Sequence, residues 1–187
     1  MLFNKYNSVL ILALIAASFP ARAEFFAGVS YTNLGFNLSY DDGDSLFTTN
    51  PVRVNVGWRG DFAGLEVDFY TSQDKTQAAW GGVDYNFKTG NGGGAYLYLH
   101  QKWVYAKLGG TWWDTTLTNQ ATSGAQNATL AQTTAVIGLE YEIAKHFYIN
   151  ADYTYAVGST GYGNARPGAG DADITTQGGS VGVTLGF

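Results

Sequence analysis

The sequence predicts an all-β chain, an eight-stranded antiparallel up-and-down β-barrel that crosses a membrane. Three observations carry this expectation. Apolar and polar residues alternate along one stretch after another, the period of a strand whose two faces meet unlike surroundings. The 187 residues include 25 Gly, 5 Trp and 13 Tyr, residue types that suit tilted strands bending through a membrane interface. There is no Cys, so a secreted domain of this size needs a stabiliser other than disulfides. A sheet closed on itself in lipid supplies one, because every backbone group then finds a partner.

The secreted reading comes from the first residues. Lys5 gives a positive start, Val9 to Ala17 is an apolar run, and Ala21-Arg22-Ala23 supplies small residues around a cleavage site, which together read as a signal peptide over 1–23. The run is short of the roughly 20 apolar residues of a spanning helix. Residues 24–187 are then expected to form one outer-membrane β-barrel domain. The whole chain carries a net charge of −5 and becomes more acidic once Lys5 and Arg22 leave. No basic patch points to nucleic acid or anionic lipid as a partner.

The strands follow in order. Phe25, Ala27, Val29 and Tyr31 share one face against Gly28, Ser30 and Thr32. Val52, Val54, Val56 and Trp58 oppose Arg53, Asn55 and Gly57, and after the turn Arg59 to Phe62 the series resumes. There Ala63, Leu65, Val67 and Phe69 oppose Gly64, Glu66, Asp68 and Tyr70. Leu97 and Leu99 alternate with Tyr96, Tyr98 and His100, where either face suits the outside. Past a Gln101-Lys102 turn, Val104, Ala106, Leu108 and Trp112 oppose Trp103, Tyr105, Lys107 and Thr111. Ala135, Ile137, Leu139, Tyr141 and Ile143 oppose Thr134, Gly138, Glu140 and Glu142. Beyond the Ala144-Lys145-His146 turn, Phe147, Ile149, Ala151, Tyr153 and Tyr155 oppose Tyr148, Asn150, Asp152 and Thr154. Last, Val181, Val183, Leu185 and Phe187 alternate with small and polar residues. The count is about eight, the smallest usual outer-membrane barrel.

Connections alternate in length as such a barrel requires. The short ones are periplasmic turns, whereas Tyr40 to Asn50, Ser72 to Gly94, Asn119 to Thr129 and Gly158 to Asp173 are expected to be extracellular loops. Pro51 and Pro167 fall at loop edges or within loops, where a missing donor does little harm. Trp80 to Lys88 reads either as an extra hairpin in the second loop or as part of another strand pair. The loops are rich in Thr, Asn, Ala, Gly and Ser with few large apolar anchors, a composition suited to mobile segments more than to a preformed pocket.

The leader, the strand-turn-strand blocks Gly57 to Tyr70 and Gly138 to Tyr155, and the terminal V-G-V-T-L-G-F resemble the small outer-membrane β-barrels of Gram-negative bacteria, the opacity-protein and OmpX-like superfamily that includes the OmpA transmembrane domain. The resemblance spans the mature chain. It implies insertion into the cell outer membrane, amid its lipid and lipopolysaccharide. It also implies that the barrel-assembly machinery reads the terminal strand through Val181, Val183, Leu185 and Phe187.

A soluble barrel of the lipocalin kind has the same alternation with the apolar face inward. Two aromatic girdles favour the membrane. Trp58, Phe62, Tyr141, Phe147 and Phe187 gather near the turn end, and Tyr31, Phe69, Trp112, Tyr153 and Tyr155 near the loop end. The inward face then carries a lumen charge network of Arg53, Glu66, Asp68, Lys107, Glu140, Glu142 and Asp152. Counting back along the first hairpin pairs Arg53 with Asp68 and Asn55 with Glu66, the former a charge-assisted pair. Such groups fill the interior of an eight-stranded barrel or, alternatively, line a narrow conduit.

No catalytic residue, cofactor site or metal site is expected. His100 and His146 both sit by periplasmic turns, away from loop-end serines such as Ser123 and Ser159, and no nucleophile elbow or zinc-hydrolase motif occurs. Asp41-Asp42-Gly43-Asp44 lacks the closing Glu of a calcium loop and reads as a solvated turn. The functional expectation is a monomeric surface-interaction or envelope-structural protein acting through its extracellular loops. The alternative is a narrow channel for a small solute.

Overall fold

The computed structural model describes residues 24–40, 43–72, 75–80, 82–162 and 171–187. The expected signal peptide over 1–23, and Asp41, Asp42, Arg166 and Pro167, lie outside them. Ten strand segments occur: β1 (Glu24–Tyr40), β2 (Gly43–Thr49), β3 (Val52–Arg59), β4 (Ala63–Thr71), β5 (Lys75–Trp80), β6 (Val83–Gln101), β7 (Val104–Asn119), β8 (Ala125–Ala144), β9 (Phe147–Gly161) and β10 (Asp171–Gly186). Eight of them form an antiparallel ring in the order β10-β9-β8-β7-β6-β4-β3-β1, closed by pairing of β1 with β10.

The two remaining segments are continuations. β2 pairs with the upper part of β1 in the register that β3 continues, Leu34 facing Thr49 and Tyr31 facing Val52. Pro51 interrupts that strand because it lacks an N–H, while its carbonyl still accepts a bond of 3.0 Å from the N–H of Thr32. β5 likewise extends β4 and pairs with β6, Trp80 opposite Val83. Trp80 to Lys88 therefore belongs to a strand pair already in the ring, the turn and upper end where β5 meets β6, and it adds no strand to the count of eight.

Several expected loops are strand. Tyr40 to Asn50 contains β2, Ser72 to Gly94 contains β5 and much of β6, and β7 and β8 leave only residues 120–124 between them. β8 is 20 residues long, about twice what a tilted spanning strand needs. The barrel thus continues as a sheet well beyond the hydrocarbon layer.

The reason these segments fold lies in a change of face. In β1, Val29 and Tyr31 point outward and are exposed, but Leu34, Phe36 and Leu38 point inward and are buried. β7 changes between Trp112, outside, and Trp113, inside; β8 between Leu130, inside, and Ile137, outside; β10 between Ile174, inside, and Val181, outside. Where lipid surrounds the wall the apolar face must look out, and where water surrounds it the same face must look in. The upper half is consequently filled by an apolar core that includes Phe36, Phe47, Phe87, Trp113, Leu117 and Ile174. Phe36 meets Trp113 edge to face at 5.6 Å, and Tyr70 lies against Trp113 at 4.6 Å. The expectation that the loop segments lack large apolar anchors is corrected: Phe47, Tyr85, Phe87 and Tyr162 all lie in those segments and are buried.

Candidate functional site

The lower half of the lumen is polar, and β3, β4, β7 and β9 supply its charges. Arg53 on β3 reaches across to Asp152 on β9, Nη2 donating to Oδ2 at 2.7 Å. It also donates to Ser30 Oγ at 3.2 Å, and its Nη1 stands 3.9 Å from Asp68 Oδ2. Asp152 accepts two further bonds, from Tyr105 at 2.7 Å and Ser180 at 2.5 Å. Lys107 is ion-paired with Glu66, and its ammonium lies 5.1 Å from the Tyr105 ring centre. Tyr70 donates to Asp68 at 2.9 Å and contacts Tyr96 at 3.2 Å. These groups are nearly inaccessible to solvent. Charges so placed are tolerable because each has an opposite charge within 4 Å, and the carboxylates of Asp68 and Asp152 also accept hydroxyl hydrogen bonds.

A second ring closes the mouth at the end of the short turns. Arg59 at the end of β3 donates to Glu24 at 2.8 Å, pairs with Glu140 and lies over the Tyr148 ring at 4.4 Å. Glu24 also meets His146 Nδ1 at 2.9 Å. A cavity of about 450 Å³ lined in part by Glu24, Arg59, His100 and Glu140 opens at this end.

Six of the seven expected network residues are thus inward. Glu142 is not: it is exposed, and its Oε1 accepts the His146 N–H at 2.8 Å, closing the β8–β9 turn. The first-hairpin register is corrected as well. Arg53 faces Tyr70 and Asn55 faces Asp68, because β3 runs through Arg59 and the turn uses Gly60 to Phe62. A slip of two residues keeps each side chain on its face but changes its neighbour. Arg53 and Asp68 still approach diagonally, with Asp152 the nearer partner. Trp103, expected inward, lies in the two-residue turn with Lys102 and is exposed.

Sequence reasoning missed Arg59, Glu24, Tyr105 and Ser180 as members. Arg59 reads from the sequence as the start of a turn; Glu24 and Ser180 bond to residues directly opposite on neighbouring strands, Arg59 and Asp152, and Tyr105 reaches Asp152 past an intervening strand, pairings that alternation along one strand cannot reveal. Among the described residues no group of three His, Cys, Asp or Glu side chains is set to hold a metal ion.

Outside, Phe62, Tyr141 and Phe187 are exposed toward the turn end and Tyr31, Phe69, Trp112, Tyr153 and Tyr155 toward the other. Val181, Val183, Leu185 and Phe187 form an exposed outward row on the last strand. The family model described as outer membrane protein beta-barrel domain matches residues 8–187. The chain belongs to this family. It is an integral protein of the cell outer membrane, embedded in its lipid.

Among solved structures, the chain is similar to Neisserial surface protein A, with 16% identity, 87% of this chain and 97% of that chain covered, and a TM-score of 0.56. It is similar to OprG of Pseudomonas aeruginosa, with 12% identity, 90% and 97% covered, and a TM-score of 0.56. It is also similar to Ail, the attachment invasion locus protein of Yersinia pestis, crystallised with a heparin analogue, with 14% identity, 89% and 99% covered, and a TM-score of 0.52. At these identities the likeness is one of fold. No curated protein matches the sequence.

Proposed function

We propose that this outer-membrane barrel acts as a surface-interaction or envelope-structural protein, a monomer whose work is done by the wall and tips of its extracellular half. The observation that carries the reading is the double seal of the lumen. Aromatic and aliphatic side chains pack the upper half, and the Arg53–Asp152 and Lys107–Glu66 pairs close the lower half. A barrel of eight strands has an interior about filled by side chains, and this one is filled with two chemistries in series. An ion entering from the periplasm meets an ordered salt-bridge layer and then an apolar core, so steady conduction would require both to rearrange. Neisserial surface protein A and Ail are by their names a surface protein and an attachment protein, and that use of the fold agrees with a sealed lumen.

The reading includes no catalytic step. His146 contacts Glu24 at the periplasmic mouth, and His100 meets the Gly60 carbonyl at 2.7 Å in the same rim. The experiment is planar-bilayer recording on the refolded protein. The sealed barrel gives no steady conductance, whereas a reproducible solute-dependent conductance would favour the narrow channel and overturn this reading.

A further inference from the structure

The outward wall of the extracellular half carries polar groups that the seal does not use. Lys75 and Lys88 are direct cross-strand partners of β5 and β6. Both are exposed, and they face outward because Phe87 and Thr89, on either side of Lys88, are buried inside. Neither ammonium has an ion-pair partner among the described residues. Like charges placed directly opposite destabilise a sheet, and an anion between them removes that repulsion.

One strand further on, the β6–β7 ladder shifts register between Thr89 and Gly92, leaving Gly90 and Asn91 without ladder partners. This bulge opens a polar dent of about 410 Å³ lined in part by Lys88, Gly90, Asp114, Asn127 and Thr129. Asp114 stands directly opposite Thr129, and Thr116 opposite Asn127. Thr116 Oγ1 donates to Asn127 Oδ1 at 2.8 Å, which leaves the Asn127 NH₂ as a donor beside the Asp114 carboxylate, an acceptor. A carboxylate, an amide and a hydroxyl around one hollow suit the alternating donors and acceptors of vicinal sugar hydroxyls. The lysine pair suits a phosphate or carboxylate on the same sugar.

Position selects the source. Trp112 lies on the same face of β7, two residues below Asp114, packed over Gly93 so closely that a Cβ there would stand 2.3 Å from the ring. It is the last apolar outward residue of that strand, and such rings sit at the headgroup level. Asp114 is then about 7 Å further along the strand, at about 3.4 Å per residue. The dent opens sideways, toward neighbours in the membrane, and not upward.

We infer that Lys75, Lys88, Asp114, Asn127 and Thr129 form a docking site for the acidic saccharide headgroup of an outer-leaflet glycolipid. The inference rests on the outer-membrane placement and deepens it to one wall of the barrel. In solution it is tested without reference to orientation in the cell, so its failure is distinct from failure of the surface-interaction reading.

The test uses the folded barrel in phosphatidylcholine nanodiscs, doped either with a lipid A that carries two acidic Kdo sugars or with phosphatidylglycerol at the same mole fraction. The side-chain NH₂ signals of Asn127 are followed by nitrogen-15 NMR and assigned with Asn127→Gln. The glycolipid shifts them saturably and phosphatidylglycerol does not. Lys75→Gln with Lys88→Gln, and separately Asp114→Asn, each weaken the response about tenfold while heat-modifiable gel migration shows the barrel folded. Equal shifts with both lipids would reduce the site to general attraction of anions and overturn the saccharide assignment. So would the absence of a shift with the glycolipid, or an unweakened response in folded variants.

Discussion

Arg53 and Asp152 meet across the lumen at 2.7 Å although 99 residues separate them in sequence. β3 and β9 are not neighbours in the ring, so this contact ties opposite walls together rather than adjacent strands. Replacing Asp152 by Ala leaves a buried guanidinium and two hydroxyls without their acceptor, with an expected cost of about 3–5 kcal/mol. Replacing both residues by apolar ones of similar volume costs much less. A double-mutant cycle in micelles, followed by urea unfolding, measures the coupling; additive losses would show that the pair does not act as a unit. Asp68→Ala has a smaller effect, since Arg53 stands 3.9 Å from it.

Trp113 tests whether the extracellular half is held by its core. Trp113→Ala removes a fully buried ring that contacts Phe36 and Tyr70 and costs about 3–5 kcal/mol. The loss is local: protease added to whole cells nicks the upper strands faster, while the membrane-embedded half keeps its heat-modifiable migration. Unchanged nicking would mean that the upper half does not depend on this core.

Orientation is readable with single cysteines, because the chain has none of its own. Ala121→Cys, in the exposed β7–β8 turn, reacts with a membrane-impermeant maleimide on intact cells. Lys145→Cys, in the β8–β9 turn, reacts only after permeabilisation. The reverse pattern would invert the topology.

Deleting Phe187 removes the terminal member of the row formed with Val181, Val183 and Leu185. Outer-membrane yield falls while the chain still reaches the periplasm. Normal yield would remove Phe187 from the assembly signal.

Much of the architecture is legible along the chain, since outward runs such as Val52, Val54, Val56 and Trp58 report a lipid-facing wall directly. What escapes simple alternation is its change of phase. Phe25, Ala27, Val29 and Tyr31 occupy odd positions and Leu34, Phe36 and Leu38 even ones, so a reading that follows one face ends the strand at Asn33. The hydrophobic pattern continues with its faces exchanged, and that exchange is the signal that would have placed the upper sheet and its core. Lumen partners are harder to read. Face assignment puts Arg53, Asp68 and Asp152 inside, but which meet depends on turn lengths and on the closure of the ring, neither of which is written in one strand.

The exchange of faces also sets a waterline. Between Tyr31 and Asn33, and again between Trp112 and Asp114, the outer wall passes from greasy to wet within a single outward step. Sinking the barrel would carry Asp114 toward hydrocarbon, where the cost of a charge grows with depth; lifting it would strip lipid from Tyr31, Phe69 and Trp112. β1 and β7 each mark a draught independently, so height is fixed by the wall and not by the tips. A load pulling on the extracellular end is therefore passed to the bilayer itself, and the protein behaves as a float whose ride height resists what it holds.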